Sequence, residues 1–272
     1  QMNVVRRIGA VPACKSLALD RQGRTWWFAG TWAWDDAPDT PMHDGVNPPG
    51  YPWGAQAVVL DNDCVIVPCY IWDKPSFYYG SLETELRGQR LDSGCALSRE
   101  AVASASYRRD GRRVLLTVLG SGKGKAFFMA EDGAYQDEAG PVSLHLSQPV
   151  VNGCTSLAMM SEHLMLAAVD GCVVELARDG VDWRETRRWA QTFGTSITIA
   201  VAAGRLWVSD RDANRVLVLD PDAGTVLAEF APGGQDVASP CALSAPETLA
   251  ARGNRAVVFD SGNQRLVKLS LR

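Results

Sequence analysis

The sequence predicts an all-β domain built from six four-stranded antiparallel units set in a ring. Three observations carry that expectation. First, one segment near the C-terminus occurs twice: Arg205–Leu219 reads RLWVSDRDANRVLVL and Arg255–Leu269 reads RAVVFDSGNQRLVKL, with Asp210 and Asp260 50 residues apart. A period of 20–50 residues marks a repeat architecture. Second, six short turns recur along the chain, each between a short apolar run and a β-branched or aromatic run. Third, six units over 272 residues leave about 45 residues each, the size of one four-stranded blade of a β-propeller.

The units follow in order. The first reads SLAL, the turn Arg21-Gln22-Gly23 and TWWFAG; the second reads AQAVVL, Asp61-Asn62-Asp63 and CVIVPCYI. The third reads AVASASY, Arg109-Asp110-Gly111 and RVLLTVL; the fourth reads TSLAMM, Ser161-Glu162-His163 and LMLAAV. The fifth reads SITIAV, Ala202-Ala203-Gly204 and RLWVSD; the sixth reads ETLAA, Arg252-Gly253-Asn254 and RAVVFD. Gly, Asn and Asp at these turns supply the positive φ values that tight hairpins need. Blade limits fall near 10–53, 54–94, 95–150, 151–193, 194–240 and 241–272. The last unit supplies only three strands, whereas the fifth shows a fourth, TVLAEFAPGG, after Pro221-Asp222-Ala223-Gly224. The N-terminal NVVRRIGAVP is similar in length and character, so residues 3–8 are expected to complete the sixth blade and remove an open edge. Helical periodicity is weak everywhere and strongest near Asp182–Gln191.

At this point the residues carry a family resemblance. Asp260-Ser261-Gly262-Asn263-Gln264-Arg265 resembles the Asp–Asn–Arg signature of NHL-repeat β-propellers, and Asp210…Asn214-Arg215 is a near copy with Asn one place late. The fourth unit keeps Asp170 in VDGCVVEL without the Asn or Arg, and units one to three depart further. The resemblance implies a six-bladed propeller with a central channel and a structural role for the Asp and Arg, with Arg bridging neighbouring turns. It implies no single activity, because the fold hosts lyases, hydrolases, receptors and passive scaffolds.

Composition narrows the classes. With 46% hydrophobic residues the chain can bury a large core, and no run of 18 apolar residues is present to span a membrane. A net charge of −4 argues against a nucleic-acid partner. The chain opens Gln1-Met2-Asn3 with no charged-then-apolar leader, which fits either a cytoplasmic protein or a mature segment of a longer, multidomain one. The compartment stays open, with a periplasmic or extracellular location preferred. The seven cysteines (Cys14, Cys64, Cys69, Cys95, Cys154, Cys172 and Cys241) form no CxxC pair, and most of them read as small buried apolar residues.

The irregular half holds the candidates for function. Residues 26–79 carry twelve of the 22 aromatics, many within two expected insertions, Gly30–Gly54 and Tyr70–Gln89. Loops longer than roughly 12–15 residues are usually functional or disordered, and disordered text is poor in aromatics. Trp32, Trp34, Tyr51, Trp53 and Trp72, beside carboxylates and amides, suit stacking on a carbohydrate or anchoring of a protein partner. The alternative is a lyase or hydrolase at the mouth of the channel, with Asp35, Asp36, His43 or Asp44 as acid–base groups. Nine residues back from each turn stand Cys14, Gly54, Val102, Cys154, Thr195 and Ala245, a ring expected to line that mouth. No metal-ligand set or cofactor motif emerges: the histidines are His43, His145 and His163, and no GxSxG elbow is present. Gly120–Lys125 (GSGKGK) lacks the spacing of a phosphate loop. Two basic clusters, Arg108-Arg109…Arg112-Arg113 and Arg184…Arg187-Arg188, read first as solvated turns or intrachain ion pairs, with an anionic ligand as the sharper alternative.

Overall fold

The computed structural model describes residues 2–8, 14, 16–29, 32–35, 56–71, 74–81, 85–90, 101–190, 193–230 and 242–271. Apart from one 3-10 turn at Ser261–Asn263, every regular element among them is a strand. After β1 (Met2–Ile8), a three-stranded sheet runs β2 (Ser16–Leu19), β3 (Thr25–Ala29), β4 (Trp32–Asp35). A four-stranded sheet follows: β5 (Val58–Val59), β6 (Cys64–Ile71), β7 (Lys74–Ser81), β8 (Glu85–Arg90). The next two meanders are β9 (Ala101–Arg109), β10 (Arg112–Leu119), β11 (Lys123–Met129), β12 (Tyr135–His145), and β13 (Cys154–Met159), β14 (Leu164–Val169), β15 (Cys172–Asp179), β16 (Asp182–Arg188). Another sheet holds β17 (Ile197–Ala202), β18 (Arg205–Asp210), β19 (Arg215–Leu219), β20 (Val226–Phe230). The last holds β21 (Pro246–Arg252), β22 (Arg255–Asp260), β23 (Arg265–Leu271) and, on its outer side, β1.

All six expected turns join neighbouring antiparallel strands: β2/β3, β5/β6, β9/β10, β13/β14, β17/β18 and β21/β22. Asp110-Gly111 and Ala203-Gly204 are two-residue connections with φ of 53° and 75° and of 49° and 66°, the two positive values of a hairpin turn whose twist matches its strands. The N-terminal strand pairs antiparallel with β23 from Met2 opposite Leu271 to Ile8 opposite Leu266, with a register shift between Val4 and Arg6. First and last segments of the chain are thereby held in one sheet.

The core is divided into slabs, each between consecutive sheets. Ala18 and Phe28 pack on Val65 and Val67; Ile66 and Phe77 pack on Leu115 and Phe127; Leu116 and Val118 pack on Leu157 and Met165. Leu166 and Val173 then meet Ile199 and Leu217, and Trp207 and Val216 meet Leu249 and Val258. Cys14, Leu17 and Trp27 finally meet Val257, Phe259 and Leu266, so the last sheet packs on the first. Middle strands are therefore buried on both faces, which is why β10 reads RRVLLTVL rather than alternating.

Three departures from the sequence reading have physical causes. Tyr70–Gln89 is no insertion: β6 continues to Ile71 and pairs with β7, which in turn pairs with β8 as ordinary sheet. Within it Phe77 is buried, its ring 5.2 Å from that of Phe127. Asp182–Arg188 is strand β16 instead of helix, with fully buried Trp183 opposite Arg178 in the register with β15. The third and fourth meanders join into one eight-stranded sheet, because β12 runs on to pair in parallel with β16 at Leu144 and His145. Asp182 secures that joint, accepting from the Ser143 N–H at 2.8 Å and meeting His145 Nε2 at 3.1 Å.

Candidate functional site: the axial channel and the turn face

The first strands of the hairpins neighbour one another in the order β2, β5, β9, β13, β17, β21, and β21 returns to β2. Small side chains at Ala18, Ala103, Ala105 and Ala158 let these strands converge. The channel they enclose opens into two cavities. One, of about 220 Å³, is lined by Cys14, Gln56, Val102, Thr155, Thr198 and Glu247, among others. The second, of about 370 Å³, lies toward the hairpin turns, beside Leu60, Met159 and Arg252. Gln56 lines both. Its Oε1 reaches across to β13, accepting from the Leu157 N–H at 3.3 Å and the Ser156 hydroxyl at 3.2 Å.

The polar groups of the inner strands are largely committed to joining one sheet to the next. Ser16 Oγ accepts from the Ala57 N–H at 2.5 Å, and Ser156 Oγ accepts from the Ile199 N–H at 3.2 Å. Thr155 Oγ1 donates to the Ile197 carbonyl at 2.7 Å, and Thr198 Oγ1 to the Glu247 carbonyl at 2.5 Å. Glu247, the only carboxylate among the described residues lining the smaller cavity, is 3.2 Å from the Arg211 guanidinium. Among the described residues this mouth offers hydrogen-bonding edges and one carboxylate, already paired.

The ring nine residues back from the turns is placed only in part. Cys14 and Val102 line the smaller cavity. Cys154 does not: it is fully enclosed, and burial pushes its thiol up to about 12, so no thiolate is available there. Thr195 is tied to Asp212, which accepts from its N–H at 2.7 Å and its hydroxyl at 3.0 Å. Gly54 lies outside the described residues. Counting back seven residues instead of nine gives Ser16, Gln56, Ser104, Ser156, Ile197 and Glu247, a far more polar series. That sequence signal was available, and it identifies Gln56 and Glu247.

The Asp–Arg signature is a brace. Asp260 is completely buried; it accepts from the Ser244 N–H at 2.6 Å, Asn263 Nδ2 at 2.8 Å and Arg265 Nε at 2.7 Å. Arg265 also donates to the Ala242 carbonyl at 2.6 Å. Asp210 repeats the arrangement with the Gly194 N–H at 3.1 Å and Arg215 Nε at 3.1 Å. Asp170 accepts from the N–H groups of Val151, Asn152 and Gly153. Each aspartate thus fixes the segment leading into its own sheet.

Of the aromatic and acidic candidates, Trp32, Trp34 and Asp35 lie in β4, the third strand out from the axis, with Cα partners Ala29, Trp27 and Trp26. They are not on an inner strand. Asp36, His43, Asp44, Tyr51, Trp53 and Trp72 lie outside the described residues. The second basic cluster is internally paired: Arg184 with Asp179, Arg187 with Glu175 and Arg188 with Glu185, at 3.0–3.1 Å. The first is split. Arg108 and Arg113 share Glu131 at 2.8 and 2.9 Å, whereas Arg109 and Arg112 stack over Phe128, 4.8 and 3.5 Å from its ring centroid.

No family model and no curated protein matches the chain. Solved structures do resemble it. The PQQ-bound aldose sugar dehydrogenase of Streptomyces coelicolor is 13% identical, with 99% of this chain and 98% of that one covered and a TM-score of 0.64. The WD40 β-propeller domain of Doa1 is 12% identical over 94% of this chain and 78% of its own, with a TM-score of 0.58. A catalytically inactive virginiamycin B lyase from Staphylococcus aureus, solved with quinupristin, is 9% identical, with both chains fully covered and a TM-score of 0.56. The shared architecture is the β-propeller, and at these identities the likeness is one of fold alone.

Proposed function

We propose that the chain is a six-bladed, NHL-like β-propeller serving as a binding module for a carbohydrate or protein partner. Its blades fall near 10–53, 54–94, 95–150, 151–193, 194–240 and 241–272, the last completed by residues 3–8. The cyclic order of six inner strands and the slab of core between each pair of neighbouring sheets support the blade count. One observation carries binding over catalysis. Thr155, Ser156 and Thr198 of the inner strands are engaged in sheet-to-sheet bonds and Gln56 lines both cavities, which turns ligand recognition toward the outer surfaces. A lyase or hydrolase at the mouth would need several ionisable groups converging on one point. The described lining of the smaller cavity supplies one carboxylate, Glu247, already paired.

The ligand surface in this reading is made by Trp32, Trp34, Tyr51, Trp53 and Trp72, aromatic anchors of the kind that dominate recognition energy. Trp32→Ala and Trp53→Ala, each measured on a glycan array and by thermal melting, test it. Binding of the glycan captured by the native chain should weaken at least about tenfold while the melting temperature moves by less than about 4 °C. A large fall in melting temperature would instead make these rings part of the core and sink the proposal.

A further inference from the structure

The hairpin β9–β10 contains two arginine pairs and resolves only one of them. Arg108 stands directly opposite Arg113, and Arg109 directly opposite Arg112. Like charges facing across a strand pair are destabilising. The first pair is relieved by Glu131, whose carboxylate takes both guanidiniums at 2.8 and 2.9 Å. Those two bonds hold its carboxyl below the usual carboxylate range.

The second pair has no such partner among the described residues. Arg109 and Arg112 line a cleft of about 640 Å³ where three turns meet, together with Asp110, Phe128, His163, Arg178 and Val181. Arg178 likewise lacks a carboxylate there; its Nη1 donates to the Arg108 carbonyl at 3.1 Å. Arg109 Nη1 is buried and has no hydrogen-bond acceptor among the described residues. In a chain of net charge −4, three guanidiniums without a carboxylate partner among the described residues, beside a histidine and a single aspartate, make a concentrated positive site. Stacking on Phe128 holds the forks of Arg109 and Arg112 in place.

We propose that this cleft binds a phosphate monoester, its oxygens taking the place that Glu131 fills for Arg108 and Arg113. Guanidinium forks match phosphate geometry through paired charge-assisted hydrogen bonds. The exposed Val181 on the rim offers apolar surface to the esterified group. The site is separate from the aromatic surface proposed above and stands or falls independently of it.

Isothermal titration of the whole chain with phenyl phosphate, and in parallel with inorganic phosphate, tests the assignment. Saturable one-to-one binding of phenyl phosphate is expected, with inorganic phosphate binding the same site more weakly. Equal or tighter binding of inorganic phosphate overturns the monoester assignment, and absence of saturable binding overturns the site. Arg112→Gln, an exposed position whose planar amide can still cover Phe128, should weaken binding at least about tenfold. Asp110→Asn, which removes the one carboxylate of the cleft and keeps a residue tolerant of positive φ, should tighten it several-fold. Unchanged affinity in both variants would overturn the proposal, and because the second variant gains function, loss of folding cannot imitate success.

Discussion

Arginine begins a strand in the last unit and in the third, with opposite consequences. Arg265 stands opposite Asp260 in the β22–β23 register, and Arg215 stands opposite Asp210 in β18–β19. Arg112 stands opposite Arg109. In the first two cases a buried carboxylate claims the guanidinium and a neighbouring backbone N–H, so the arginine becomes part of the frame. In the third the guanidinium lies on an aromatic ring and keeps its hydrogen-bonding edges. The residue type is the same; the cross-strand partner decides whether it braces or binds.

The sharpest way to break this comparison is to remove the carboxylate of a brace. Asp260→Ala would strand the Ser244 N–H, Asn263 and the Arg265 guanidinium in one step. Removing one member of a buried ion pair costs about 3–5 kcal/mol, read as a fall in the urea midpoint. A loss below about 1 kcal/mol would show that the brace is ornamental.

Acid provides a milder probe. Burial pushes the Asp170 carboxyl up, but its three backbone donors outweigh that effect and hold it below the usual range. A depressed native value means that the stabilisation is complete above the unfolded pKa of about 4 and is lost as pH falls through the lower native value. Urea midpoints of Asp170→Asn and the native chain should therefore differ near neutral pH, by about 1 kcal/mol, and converge on acidification. A constant gap across that range would remove the carboxylate from the account.

The smallest effect belongs to the unpaired side. Arg112→Ala should change stability by no more than about 0.5 kcal/mol, in either direction, because it deletes ring contact and like-charge repulsion together. A loss comparable to that of Asp260→Ala would make the Phe128 stack structural and erase the contrast.

Much of the frame was legible in the residues. The six turns, the doubled Asp–Arg segment and the N-terminal strand that pairs with β23 are local features, written in turn chemistry and strand composition. The errors came where local text is ambiguous. Tyr70–Gln89 looked like an insertion because aromatics suit a binding loop and a buried strand equally well, and Phe77 is core. The count of nine residues back from the turns missed the more polar series two places on: side chains alternate with period two, so both series share a strand face, and only the structure shows how far along the strands the cavities are lined. Gln56 could have been found by that count, but its reach to Ser156 and Leu157 could not.

By itself the sequence determined the all-β class, the repeated hairpins and the aspartates that fix them, since periodicity, turn residues and apolar runs act over a few neighbours. Only the tertiary structure decided which charges are spent. Arg108 and Arg113 converge on Glu131, 23 and 18 residues away in the chain, while Arg109 and Arg112, at the same short turn, stack on the Phe128 ring and meet no carboxylate among the described residues. Electrostatic pairing depends on distance in space and on burial, and neither is written in the order of residues along one strand.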